Sequence, residues 1–322
     1  MSREPGEPDV EVLHGGMDNA GAVVRRGDTV ERPAPPHAAA LHAHLRALAA
    51  QGFDGAPTPL GTFDGGRRER LGHIEGEVAV PPFPAWTWSD DGVLRSVGAL
   101  LRRLHRASAA LPVDRGVPWR TGLADPEADT APADSLILCH NDVCPENVVF
   151  RDRVATAFID FDQAAPGRPL WDVAMVARYW VPMSGEGPRT LDRLRVLADG
   201  YGLDAGGRAA LPRAIEQAAA VARAFSARRV RDGDPVYVRA LAARGGWESW
   251  DRHQAWLAAH RRTFADGLLD SRNHSRSGSR TDSRAGSPTP RSGTGSRTDG
   301  LPDGLTDGLT DSRQNSRRGP GR

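Results

Sequence analysis

The sequence predicts an α+β chain of two lobes, a small β-rich lobe followed by a mainly helical one, with a disordered tail behind them. Three observations predict this. Gly, Asp and Pro punctuate short β-prone runs up to about residue 76. Apolar residues recur at helical spacing from Val93 and again after Asp172. The composition then changes character at Ser271. The expected organisation is a frayed terminus over 1–9, an N-terminal lobe over 10–76, a helical lobe over 77–270 and a disordered tail over 271–322. A chain of 322 residues is long enough for two lobes that share a cleft.

The elements follow in order. Runs at 10–13, 21–25 and 29–32 read as strands, the last two joined at the turn Arg26-Gly27-Asp28. Pro33, Pro35 and Pro36 end the hairpin, and an Ala- and Leu-rich helix over 37–50 follows. Residues 59–63 and 70–74 flank Asp64-Gly65-Gly66 as a second hairpin, and 76–84 is a Pro-rich connector. Ser89 is the expected N-cap of a helix whose buried stripe is Val93, Leu94, Val97, Leu100, Leu101 and Leu104. Residues 112–134 read as loop, and 148–150 with 154–159 as a third hairpin around Arg151-Asp152-Arg153. Helices are expected near 172–181, 188–201, 207–230 and 235–269, with breaks at Gly202, Gly233 and Gly245. From Ser271 the Ser-, Arg- and Gly-rich sequence has too few large apolar residues to offset the entropy of ordering.

Composition excludes several chemistries. All 42 basic residues are Arg, so no phosphate-binding loop of the Lys-containing kind and no lysine Schiff base is possible. The net charge of +1 divides unevenly: ten Arg and five Asp lie from Ser271 onward, about +5, which leaves the body about −4. A mildly acidic body suits a cationic substrate, and the basic tail is read as solvated rather than as a nucleic-acid contact. Two cysteines, Cys139 and Cys144, fit a reducing cytoplasm rather than a disulfide framework. No apolar stretch is long enough to span a membrane, and the first ten residues lack the apolar segment of a secretory signal.

The chemistry concentrates in Cys139-His140-Asn141-Asp142-Val143-Cys144-Pro145-Glu146-Asn147. Its His-x-Asp-x-x-x-x-Asn spacing suits phosphoryl transfer, which needs a carboxylate to orient an attacking hydroxyl and hard oxygens to hold Mg²⁺ on phosphates. Ile159-Asp160-Phe161-Asp162 follows across the expected hairpin, which returns Asp160 to the side of Asn147.

With Gly167-Arg168-Pro169-Leu170-Trp171-Asp172-Val173-Ala174 added, these runs are similar to the aminoglycoside phosphotransferase family over roughly residues 10–265. The resemblance implies a protein-kinase-like fold, ATP or GTP as cosubstrate and a small hydroxylated substrate. It implies His140 and Asp142 in the catalytic loop, with Asp142 as the base. Asn147 and Asp160 follow as Mg²⁺ ligands, and Asp172 as a structural carboxylate under the loop. In the first lobe, Gly15 and Gly16 match the phosphate-covering turn, and 70–74, with Leu71 and His73, the segment that would hold the base through its backbone. Arg32 falls where the family carries a nucleotide-binding lysine. The helix over 37–50 has no acid to pair with it, so Arg32 must be positioned by the phosphates themselves or by a group outside that helix, and it is expected to be a nucleotide contact that orders on binding. Arg-bearing sequences of this kind resemble the trifolitoxin immunity subgroup. The rival class is therefore a non-catalytic binding or immunity protein on the same fold.

Cys139, His140 and Cys144 lack a second pair at zinc spacing, so a zinc site is set aside. Trp247, Trp250 and Trp256 are read as helix-packing aromatics rather than pocket walls.

Overall fold

The computed structural model describes residues 10–13, 21–183 and 189–270. The expectations for 1–9, for Gly15 and Gly16 and for 271–322 lie outside the described residues.

The first lobe is a five-stranded antiparallel sheet with one helix. Strands β1 (Val10–Val12), β2 (Val24–Arg26), β3 (Thr29–Pro33), β4 (Pro59–Phe63) and β5 (Arg68–Gly72) take the order β1-β2-β3-β5-β4. The β2–β3 hairpin closes at Gly27, whose left-handed φ of 58° glycine adopts without strain. Helix α1 (Ala38–Ala50) turns Leu41, Leu45 and Leu48 into the core. Strand β5 begins earlier than expected and includes Glu69, which stands directly opposite Arg32 of β3.

The chain crosses to the second lobe through β6 (Glu77–Val78), which pairs with β8 (Val148–Arg151); β8 in turn pairs with β9 (Val154–Phe158). A four-residue helix α2 (Trp86–Ser89) precedes α3 (Asp91–Ser108). The cap of α3 is Asp90, not Ser89: the Asp90 carboxylate accepts the Gly92 and Val93 amides, whereas Ser89 lies inside α2 and returns its hydroxyl to the Ala85 carbonyl. A carboxylate there also meets the positive end of the helix dipole.

Behind α3 come β7 (Ile137–Cys139), β10 (Ala165–Gly167), α4 (Pro169–Trp180), α5 (Arg189–Tyr201), α6 (Ala205–Arg231), α7 (Pro235–Ala243) and α8 (Trp247–Leu269). Strands β7 and β10 pair across the lobe centre and carry the catalytic loop between β7 and β8. Helices α3 and α5 cross closely because both are Gly at the contact. A Cβ on Gly200 would stand 2.5 Å from the Arg95 carbonyl oxygen, and one on Gly98 2.9 Å from the Tyr201 amide nitrogen. That crossing brings Tyr201 to His105.

The segment 112–134 is more ordered than a plain loop. Leu123 is buried, the Trp171 indole donates to its carbonyl, and Arg168 binds Asp125 and Glu127. Trp250 is buried and Trp256 stacks on His260 against the core, as packing aromatics do. No described helix is long and apolar enough to cross a membrane.

Candidate active site

The catalytic loop is held from beneath by one carboxylate. Asp172, fully buried in the first turn of α4, accepts the His140 amide at 2.7 Å and the Asn141 amide at 2.7 Å. It also accepts from His105 Nε2 at 3.1 Å, and His105 Nδ1 meets the Tyr201 hydroxyl at 2.8 Å. Burial raises the Asp172 pKa, but His105 and His140 and the loop amides outweigh it, so the carboxyl stays charged below the usual range. Asn141 takes a left-handed φ of 66°, a conformation that Asn tolerates better than most residues.

His140 is buried and spent on the protein itself. Its Nδ1 accepts the Asp142 amide at 3.3 Å, so Nε2 carries the proton and donates to the Ile159 carbonyl at 3.0 Å. Phe158 and Phe161 enclose the ring. His140 therefore spaces the loop from the β9 end rather than facing reactants, a narrower place than the resemblance implies.

Asp142 and Asn147 touch. The Asn147 amide nitrogen donates to the Asp142 carbonyl oxygen at 2.8 Å and to its Oδ2 at 3.2 Å, which leaves the amide oxygen for a cation. Asp142 Oδ1 accepts the hydroxyl of Tyr179 from α4. Burial pushes the Asp142 carboxyl up, the Tyr179 bond opposes that, and Asp160 adds to it. Nearby Glu146 is pushed up to about 7, by burial and by Asp142. Arg178 lies over the Tyr179 ring at 3.8 Å.

The hairpin β8–β9 brings Asp160 back to the loop. The Ile159 amide donates to the Asn147 carbonyl at 2.9 Å, and Asp160 itself adopts a left-handed φ of 61°. One oxygen of Asp160 accepts Arg32 Nη1 at 2.7 Å. The hard oxygens of Asn147 and Asp160 fit Mg²⁺, which binds few protein carboxylates and completes its shell with phosphates and water. Among the described residues no cluster of three or more His, Cys, Asp or Glu has metal-holding geometry.

Arg32 is not waiting for phosphate to order it. Its Nε donates to Glu69 Oε1 at 2.7 Å, and its Nη2 to Asp162 at 2.6 Å. Glu69 is fully buried and its second oxygen meets His42 Nε2 of α1 at 2.7 Å. Burial works against the Arg32 charge, but Asp162, Asp160 and Glu69 outweigh it and raise its pKa. The acid absent from α1 is supplied instead by β5.

Leu71, next but one to Glu69, is buried on the same face of β5. The His73 amide already donates to the Asp28 carbonyl at 2.8 Å, so that donor is engaged within the sheet. Cys139 and Cys144 are free thiols whose pKa burial pushes well up, which suits packing rather than nucleophilic work.

Sequence reasoning missed Tyr179, Glu69 and His105. Tyr179 had a usable signal: it lies seven residues after Asp172, two helical turns on, and so shares the face that looks at the loop.

Residues 113–202 match the model of the phosphotransferase enzyme family. The trifolitoxin immunity protein of Rhizobium leguminosarum bv. trifolii is 31% identical over 265 residues, covering 76% of this chain and 94% of that protein. A choline/ethanolamine kinase family protein from Mesorhizobium loti superposes with a TM-score of 0.57 at 17% identity, over 81% of this chain and 92% of that one. The GDP complex of aminoglycoside 2'-phosphotransferase-IIIa gives 0.50 at 16% identity, over 78% of this chain and 94% of that one. The two structures share the two-lobed kinase-like fold, and the match in the immunity protein runs through nearly its whole length. With the loop, the hairpin and the Asp172 support all in one chain, the protein belongs to the aminoglycoside phosphotransferase family of phosphotransferase enzymes.

Proposed function

We propose that the protein transfers the γ-phosphoryl group of ATP or GTP to a hydroxyl of a small molecule, with Mg²⁺. The observation that carries this is that the Asn147 side chain binds Asp142 while the Ile159 amide binds the Asn147 carbonyl, so that Asp160 follows directly on that bond. When bound by Asn147 and Asp160, Mg²⁺ neutralises the phosphate charge. Asp142 orients the acceptor hydroxyl and takes its proton. The acceptor oxygen forms a bond to the γ-phosphorus as the bond to the bridging oxygen breaks, and nucleoside diphosphate leaves. The raised pKa of Asp142 suits a base. Tyr179 holds Oδ1 from one side and leaves its other lone pair for the acceptor.

A second reading has one specific support: the 31% identical relative is named an immunity protein. On that reading the fold binds its ligand without turning it over. The two part on one experiment. Purified protein is titrated with Mg-nucleotide and then assayed for diphosphate release across a panel of hydroxylated acceptors. Turnover that Asp142→Ala abolishes supports the enzyme. Nucleotide-free ligand binding that Asp142→Ala leaves intact, with no turnover on any acceptor, supports the binder.

A further inference from the structure

The least ordinary group in the site is Arg32, and its surroundings define what it can do. The residue is 6% exposed, and three carboxylates take three different nitrogens of one planar guanidinium. A guanidinium offers its donors in a fixed fork, so filling Nε, Nη1 and Nη2 together fixes both its place and its plane. A lysine has one nitrogen on a flexible stem and cannot hold all three acids in this way.

The anchor of this arrangement lies in the sheet. Arg32 and Glu69 are direct partners in the β3–β5 register, so backbone pairing alone sets their separation. The second Glu69 oxygen is tied to His42, which reaches it from α1 with its own side chain buried. The helix thus contributes an imidazole where a charged acid would otherwise make the pair. A shift of α1 would strain the His42 contact and leave the Arg32–Glu69 pair, which no helix residue forms, in place.

Beyond the anchor, the guanidinium reaches the metal carboxylate. Arg32 Nη1 holds one oxygen of Asp160, a residue with side-chain exposure of 28% that faces the cleft more than Arg32 does. Asp162, two residues on, takes Nη2 and fixes the turn after Asp160. A buried guanidinium engaged on three sides has little surface to offer a phosphate, whereas Asp160 has an oxygen to spare.

We propose that Arg32 is a positioning residue that presets Asp160 from within the sheet, anchored by Glu69 and His42, and acts on Mg-nucleotide through Asp160 rather than by touching the phosphates. This rests on the phosphotransferase reading. It assigns Glu69 and His42 a role in nucleotide binding although neither faces the nucleotide.

The test is calorimetric titration of a non-hydrolysable ATP analogue, with Mg²⁺ and separately with a chelator. The proteins are the full chain and its Arg32→Lys, Glu69→Gln, His42→Asn and Asp160→Asn variants, with Arg32→Lys and Glu69→Gln also placed in the Asp160→Asn background. Arg32→Lys and Glu69→Gln are each expected to weaken Mg-nucleotide about tenfold, the scale of lost support behind a metal ligand. Metal-free affinity is expected to stay within about twofold, and neither change is to weaken binding further once Asp160 is Asn. His42→Asn keeps the Arg32–Glu69 pair and tests the same direction with a smaller effect, should Glu69→Gln fail to fold. A loss in Arg32→Lys that persists in chelator, or that adds fully to Asp160→Asn, overturns the proposal in favour of direct phosphate contact. Wild-type affinity in both Glu69→Gln and His42→Asn overturns the anchor. Absence of Mg-nucleotide binding in the wild type overturns the phosphotransferase reading, and the proposal with it.

Discussion

The hydroxyl of Tyr179 donates to Oδ1 of Asp142, while Asn147 holds Oδ2 of the same carboxylate. The carboxylate proposed as the base is thus fixed in rotation by two neighbours from different elements, one on α4 and one in the loop after β7. Fixing a base in rotation matters because proton acceptance depends on aim as well as on pKa. Tyr179→Phe keeps the ring and its contact with Arg178 and removes only the donor. We expect kcat to fall about tenfold, within the range for a misaligned general base, with Mg-nucleotide affinity unchanged. Steady-state kinetics beside calorimetry check this, and an unchanged kcat would remove Tyr179 from the catalytic arrangement.

The proposed function gives Asp160 and Asp142 different tasks, and substitution separates them. Asp160→Ala removes the proposed metal oxygen and also frees Arg32 Nη1. Mg-dependent nucleotide binding is expected to vanish. Asp142→Ala leaves Asn147 and Asp160 in place, so binding persists while turnover falls by at least about a hundredfold. Wild-type Mg-nucleotide binding by Asp160→Ala would break the assignment of the metal site.

The contrast between Asp160 and Glu69 shows what a sequence makes legible. Asp160 follows a hairpin whose turn, Arg151-Asp152-Arg153, is visible as such, and a hairpin returns its ends to one place. Local rules therefore carry Asp160 to Asn147. Glu69 meets Arg32 through the register of β3 against β5, two strands separated by α1 and β4. Register is set by the whole sheet, and reading β5 as starting at residue 70 left Glu69 in the turn. The resemblance puts the acid on α1, whereas the strand supplies it. The cap of α3 is Asp90 rather than Ser89 for a smaller reason: both are good caps, and the extra turn of α2 moves the boundary by one residue.

Asp172 carries the loop, so its charge is a stability element. Buried and bonded to two backbone amides and His105, it cannot be neutralised without weakening three bonds at once. Asp172→Asn keeps the shape but turns one acceptor into a donor facing amide N–H groups. We expect a loss of about 3 kcal/mol, as for a broken buried charged network. Urea unfolding would show a lower midpoint at constant slope. A midpoint equal to wild type would mean the loop amides find other partners.

The last prediction concerns acid. His37, just before α1, is 3% exposed, and both its ring nitrogens are buried without a hydrogen-bond partner among the described residues. Its ring lies against Trp119 at 5.2 Å. Burial pushes its pKa down to about 4, and Arg120 and Arg32 push the same way against Glu69. His44 on α1 is likewise pushed down to about 4 by burial. In the unfolded chain both titrate near 6.5, so between pH 6.5 and 4 the unfolded state binds protons that the folded state refuses. Stability contributed by the two neutral rings is thus complete above pH 6.5 and is lost as pH falls toward 4. Glu146, raised to about 7, Asp162, raised to about 6, and Asp142, also raised, act in the opposite sense, and comparison with a variant that differs only at His37 cancels their contribution. For His37 alone the loss is about 2–3 kcal/mol. His37→Phe keeps an aromatic ring against Trp119 and removes the titration together with the two unpaired nitrogens. Urea midpoints at pH 7, 6 and 5 should therefore fall less steeply with acid in the variant, by about one proton in the slope of stability against pH. Parallel slopes in the two proteins would show that His37 takes up its proton in the folded state.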